Sequence, residues 1–177
     1  MKKTALIILD CQNDFYKGPL AIPDMEKILP RTVKLVKKWK GLVVFVRFIL
    51  KETLGVHPPD LFLPRTKGAQ IVDELLPLTK RKNTIVIDKH YYSAFAKTNL
   101  EKILRENKIN TIYLTGVKTE YCVLATAFSA FDLGFKVKLV EDCITERDKR
   151  FHELILEKKK AEFMFGKNSV VQSKEMV

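Results

Sequence analysis

Five short apolar runs, separated by segments of helical period, limit the folds open to this chain. Residues 4–9, 42–48, 84–87, 111–114 and 135–140 are each of strand length. The first is a continuous apolar run, as expected of a parallel strand covered on both faces. Between them, Ile28, Val33, Val36 and Trp39 mark a helix over about 23–40. Ala69, Val72, Leu75 and Leu76 mark a short helix stopped near Pro77, and Leu100, Ile103 and Leu104 another. A further helix runs over 122–133 and is closed by Gly134. A charged one covers about 147–160, and a short sixth strand is expected at 161–165. Residues 49–66 hold three prolines and no clear period, so they read as a long loop of the kind that serves as a binding or lid element. Strand and helix alternate without repeat or linker. That predicts one α/β domain over 1–177, a three-layer sandwich on a parallel sheet with right-handed crossovers.

The bulk numbers narrow the function classes. A chain of 177 residues with 46% hydrophobic content builds one sizeable core. No apolar run is long enough to cross a bilayer. The basic start and apolar 4–9 run faintly resemble a signal peptide, but Asp10 and Gln12-Asn13-Asp14 cut that run short, so it reads as a buried strand. Cys11, Cys122 and Cys143 show no metal-ligand spacing and leave one sulfur over in any disulfide scheme, which fits a reducing cytoplasm. The net charge of +11 raises nucleic acid as a partner, yet the lysines are scattered among glutamates as on a solvated surface. Lys158-Lys159-Lys160 is placed at a helix end, where cations suit the dipole.

Chemistry concentrates in residues 111–128, where a strand, a sharp turn at Gly116 and a helix follow one another. Thr119 is a plausible N-cap, and Cys122 falls at the helix N-terminus. There the dipole and unpaired N–H groups favour an anion, so the thiol is expected to ionise more easily than a free cysteine. The same N–H groups are placed to hold an oxyanion. A lone cysteine on a helix that packs on a sheet is most often a small buried hydrophobe.

Two other residues share this edge of the sheet. Asp10 ends the first strand and Lys89 the third, and ligands of open parallel sheets bind outside the carboxyl ends of the strands. Asp10 is suited to take the thiol proton, and Lys89 to favour both anions from a distance that its length can span. Taken singly, Asp10 is also a turn cap and Lys89 a solvated strand-end charge. Together the three point to nucleophilic catalysis.

Three motifs carry a family resemblance. Asp10-Cys11-Gln12-Asn13-Asp14-Phe15 resembles the D-x-Q-x-D-F opening of the isochorismatase-like cysteine hydrolases, which include nicotinamidases and N-carbamoylsarcosine amidohydrolase. Lys89 through Ser93-Ala94-Phe95 and Thr98-Asn99-Leu100 resembles that family's K-x-x-x-S-A-F-x-x-T-x-L. Residues Gly116 to Val123 are similar to its G-V-x-T-x-x-C-V. The resemblance implies a six-stranded sheet in the order 3-2-1-4-5-6, with Asp10, Lys89 and Cys122 as the triad. It implies a cis peptide at Val117-Lys118, and an oxyanion hole from the backbone N–H groups of Lys118 and Cys122. It also implies a small-molecule amide or carbamoyl substrate, no cofactor and a homo-oligomer. Enol-ether hydrolysis of the isochorismate type and a non-catalytic binding protein are the alternatives.

The pattern departs from metal-dependent nicotinamidases. Their Asp-x-His after the second strand is replaced here by Val46-Arg47-Phe48-Ile49-Leu50, so no metal is expected. His57 and Asp60 make a weak pair. Arg47 is a contact for an anionic substrate group or a surface charge, and Phe15 and Tyr121 are pocket walls or ordinary packing. His90 and His152 stand out in no pattern, and Cys11 faces away from Asp10 by strand alternation.

Overall fold

The computed structural model describes residues 3–51 and 60–176. Its core is a six-stranded, all-parallel sheet in the order β3-β2-β1-β4-β5-β6. The strands are β1 (Thr4–Leu9), β2 (Leu42–Phe48), β3 (Thr84–Lys89), β4 (Thr111–Gly116), β5 (Lys136–Ile144) and β6 (Val170–Val171). Six helices join them: α1 (Asn13–Tyr16), α2 (Met25–Lys38), α3 (Leu100–Glu106), α4 (Leu124–Asp132), α5 (Lys149–Leu156) and α6 (Lys158–Phe165).

Alternation along β1 divides the core in two. Leu6 and Ile8 pack on one face with Ile28, Leu35 and Val36 of α2. Ala5, Ile7 and Leu9 pack on the other with Leu104 of α3, Ala127 of α4 and Phe165 of α6. Both faces are therefore sealed, which is why β1 runs unbroken and apolar from Ala5 to Leu9 before Asp10. Gly116 closes β4 at φ +105°, and a Cβ there would stand 2.0 Å from the Leu9 carbonyl oxygen. Only glycine lets the two central strands end so close together.

The carboxyl-terminal third differs from its sequence pattern. Residues 161–165 fold as helix, not strand: Ala161 and Phe165 are buried while Phe163 between them is 93% exposed, a period of four rather than two. The sixth strand is Val170–Val171, paired with Leu139 and Val140. The charged helix is broken at Glu157 into α5 and α6. Lys158-Lys159-Lys160 consequently opens α6, at the end where the dipole disfavours cations. Residues 69–75 make turns and a bridge from Ile71 to Gln12 instead of a helix. Pro77 lies at the start of a 3₁₀ turn, Leu76–Lys80, rather than ending an α-helix.

Candidate active site

The topology sets β1 between β2 and β4, so the ends of β1, β3 and the β4–α4 turn face one pole. Asp10 follows β1 at φ +54°. Lys89 ends β3, two strands away, with Phe48 of β2 between them in register. Its side chain crosses beneath the Phe48 ring, Nζ lying 5.0 Å from the ring centre. Nζ then reaches 2.9 Å from Asp10 Oδ2 and donates to Cys122 Sγ at 3.2 Å. A third donation, to the Tyr91 carbonyl at 3.2 Å, uses up the ammonium's hydrogens. Asp10 and Lys89 are wholly buried, and Cys122 is 6% exposed. Three residues from distant parts of the chain thus meet around one ammonium.

Charge is balanced within the group. Burial works to lower the Lys89 pKa, but Asp10 and then Cys122 outweigh it and raise it, so the ammonium persists. Burial raises the Asp10 pKa, and the charge of Lys89 and the hydrogen bond of the thiol oppose it. For Cys122, burial and then the Asp10 charge push the thiol up to about 12, with Lys89 acting against both. The expected easy ionisation is therefore absent at rest. The dipole argument ignored desolvation, which here exceeds it. The resting group is a thiol beside an ammonium–carboxylate pair.

The turn carrying Cys122 also differs in detail. The Val117–Lys118 peptide is cis. Thr119–Val123 is a π-helical turn in which the Val123 N–H reaches back to the Lys118 carbonyl at 3.1 Å, and α4 begins only at Leu124. Such turns mark places where side-chain placement overrides regular helix. Thr119 is not the cap. Its hydroxyl is buried against His152 Nδ1 at 2.8 Å, tying the turn to α5.

The motif residues beside the three have supporting work. Gln12 is fully buried; its amide donates to the Phe48 and Ala69 carbonyls at 2.8 Å each and accepts from the Phe48 N–H at 2.7 Å. Asp14 accepts from the Phe62 N–H at 2.8 Å, and a Cβ on Gly68 would sit 2.1 Å from its carboxylate. Ala94 N–H donates to Thr126 Oγ1 and Ser93 Oγ to Ser129 Oγ, fastening the segment after β3 to α4. Sequence reasoning missed the Tyr91 carbonyl and Glu146. The latter is a fully buried carboxylate that accepts from the Arg147 N–H and lies 3.6 Å from Lys118 Nζ.

The other predicted residues fall around this centre rather than in it. Phe15 is buried against Phe62, ring centres 4.6 Å apart. Tyr121 is 39% exposed, beside Tyr92 and under Lys118 Nζ. Arg47 forks onto Asp88 with two 2.7 Å bonds, on the wall of a separate cavity of about 310 Å³. Cys11 and Cys143 are buried free thiols, and burial raises both, Cys143 to about 12. His90 Nδ1 sits 2.8 Å from the Ile49 carbonyl.

The model of the isochorismatase domain matches residues 4–166. The chain belongs to the isochorismatase family. It is a hydrolase by that membership. A secreted isochorismatase effector of Verticillium dahliae is 32% identical over 145 residues, 82% of this chain and 74% of the relative. The solved nicotinamidase of Bacillus subtilis superposes with a TM-score of 0.86 at 29% identity, covering 97% of this chain and 100% of that one. The pyrazinamidase of Pyrococcus horikoshii, solved in complex with zinc, gives 0.83 at 33% identity, covering 96% and 99%. Among the described residues of this isochorismatase-family chain, no three His, Cys, Asp or Glu side chains come together as a metal site requires. Arg47 occupies Asp88, and His57 lies outside the described residues. The described side chains do not make up a metal-binding set.

Proposed function

We propose that the protein is a cysteine amidohydrolase that cleaves a C–N bond of a small amide or carbamoyl compound. The observation that carries this reading is the Lys89 ammonium, shared between the Asp10 carboxylate and the Cys122 sulfur in one buried group. With substrate bound, Asp10 takes the thiol proton as sulfur attacks the carbonyl carbon. Lys89 holds the sum of charges near neutral throughout, so no net charge is buried during the transfer. The carbonyl oxygen gains negative charge and is received by the N–H groups of Lys118 and Cys122, each such donor being worth about 3 kcal/mol in the transition state. Asp10 then gives its proton to the departing nitrogen, leaving a thioester. Water, deprotonated by Asp10, attacks the thioester; the acid leaves and the proton returns to sulfur.

Tyr121 and Tyr92 form an aromatic rim beside the Cys122 turn, suited to a flat substrate. The nicotinamidase and pyrazinamidase relatives support the amide class. The free cysteines support a reducing, cytoplasmic setting. The test is ammonia release across a panel of amides and ureido acids, with wild type and Cys122→Ala. Release by wild type alone is expected. An active Cys122→Ala variant refutes the thioester route and favours enol-ether hydrolysis.

A further inference from the structure

The opposite pole of the sheet carries a second feature that hydrolysis does not use. A cavity of about 970 Å³ lies at the amino ends of β1, β2 and β3, about 20 Å from Asp10 by the rise of a six-residue strand. Lys3, Lys38 and Lys40 stand on its wall. Among the described residues, none of their ammonium groups is engaged in an ion pair or hydrogen bond. The end of α2 does not account for them, because the carbonyls of Val36 and Trp39 are already taken by the Arg81 guanidinium.

Two further polar groups on the wall lack partners. Trp39 is more than nine-tenths buried, yet its indole N–H has no acceptor among the described residues. The Thr84 hydroxyl is likewise buried and unpartnered. Trp39 Nε1 lies 3.0 Å from the place a Cβ of Gly41 would occupy, so it faces bare backbone on the same wall. A single carboxylate, Glu175, opposes three cations and these donors on the wall as described. The floor is apolar, with Leu42, Ile109 and the edge-to-face rings of Trp39 and Tyr113, centres 5.1 Å apart.

We propose that this cavity is a second, non-catalytic ligand site for a small organic anion, a carboxylate or phosphate carried on a flat apolar body. The lysines receive the charge, and the apolar floor receives the body. The proposal stands apart from the amidohydrolase reading and can fail without it.

Trp39 is the chain's single tryptophan, so its fluorescence reports on the site directly. The full-length protein is titrated with adenosine monophosphate and with benzoate, excited at the red edge of tryptophan absorption, and with adenosine as the uncharged control. A saturable change with at least one anion and none with adenosine is expected. The Lys38→Ala/Lys40→Ala variant is expected to bind that anion at least about tenfold more weakly while hydrolysing amides as before, since each lost charged contact is worth about that factor or more. The proposal is overturned if neither anion gives a saturable change, if adenosine matches adenosine monophosphate, or if the variant binds as wild type does. A response to a single-stranded oligonucleotide with none to the small anions overturns it too, because that result marks a polyanion surface.

Discussion

Replacing Lys89 with methionine tests the shared ammonium most directly. The side chain keeps nearly its length and apolar stem, so packing beneath the Phe48 ring is retained. What is lost is the cation paired with a carboxylate that has no exposed surface. Removing one partner of a buried ion pair costs about 3–5 kcal/mol, a large part of the stability of a domain this size. The cost depends on pH in a defined direction. Burial already raises the Asp10 pKa above its unfolded value, and Lys89 is the main opposing influence. Without it the folded variant holds a proton that the unfolded chain gives up. Stability is then fullest below about pH 4 and falls by about 1.4 kcal/mol per pH unit as pH rises toward the folded pKa of Asp10.

Urea unfolding followed by Trp39 fluorescence over pH 4–8 measures this. Adding Asp10→Asn to the same chain removes the stranded charge, so most of the lost stability returns and the pH slope disappears. Turnover is absent from both variants. If Lys89→Met is as stable as wild type at neutral pH, or if Asp10→Asn fails to rescue it, the ion-pair account of the site is wrong.

Two other outcomes follow from the same geometry. Iodoacetamide labels Cys122 before Cys11 and Cys143, because it is the most exposed of the three, at 6% against 2% and 0%, and its rate climbs with pH through the alkaline range because the resting thiol is held at about 12; mass spectrometry of labelled peptides reads this, and a rate already level at neutral pH means a resting thiolate. Gly116→Ala lowers stability by about 3 kcal/mol or more, from a left-handed alanine and a clash with the Leu9 carbonyl that also accepts from Val117 N–H; thermal unfolding reads this, and an unchanged Tm contradicts the close approach of β1 and β4.

The first five strands were legible because each carries a short apolar run, unbroken in β1, which is buried on both faces, and their carboxyl ends named Asp10 and Lys89 at once. The sixth was not, because two residues carry no period, while Ala161 to Phe165 offered apolar residues that a helix uses equally well. At the site, Cys122 was visible from its place after β4, but its proton was not. Ionisation depends on how completely the loops close over the sulfur, and no local pattern encodes that. The π-helical turn was hidden for a related reason: its geometry answers to Thr119 meeting His152, two residues from different elements. Gln12 and Asp14 were recognised as motif letters, yet their work as ties to residues 48, 62 and 69 emerges only when those segments are in place.

Lys89 belongs to a strand that does not pair with β1, and its reach depends on β2 and β3 matching Phe48 with Lys89. A shift of one position between those neighbours would turn the ammonium to the far side of the sheet. Competence for chemistry is accordingly a property of correct pairing across three strands. A chain that has collapsed and formed most of its helices, but has mispaired this edge, would be as inert as one that has not folded at all.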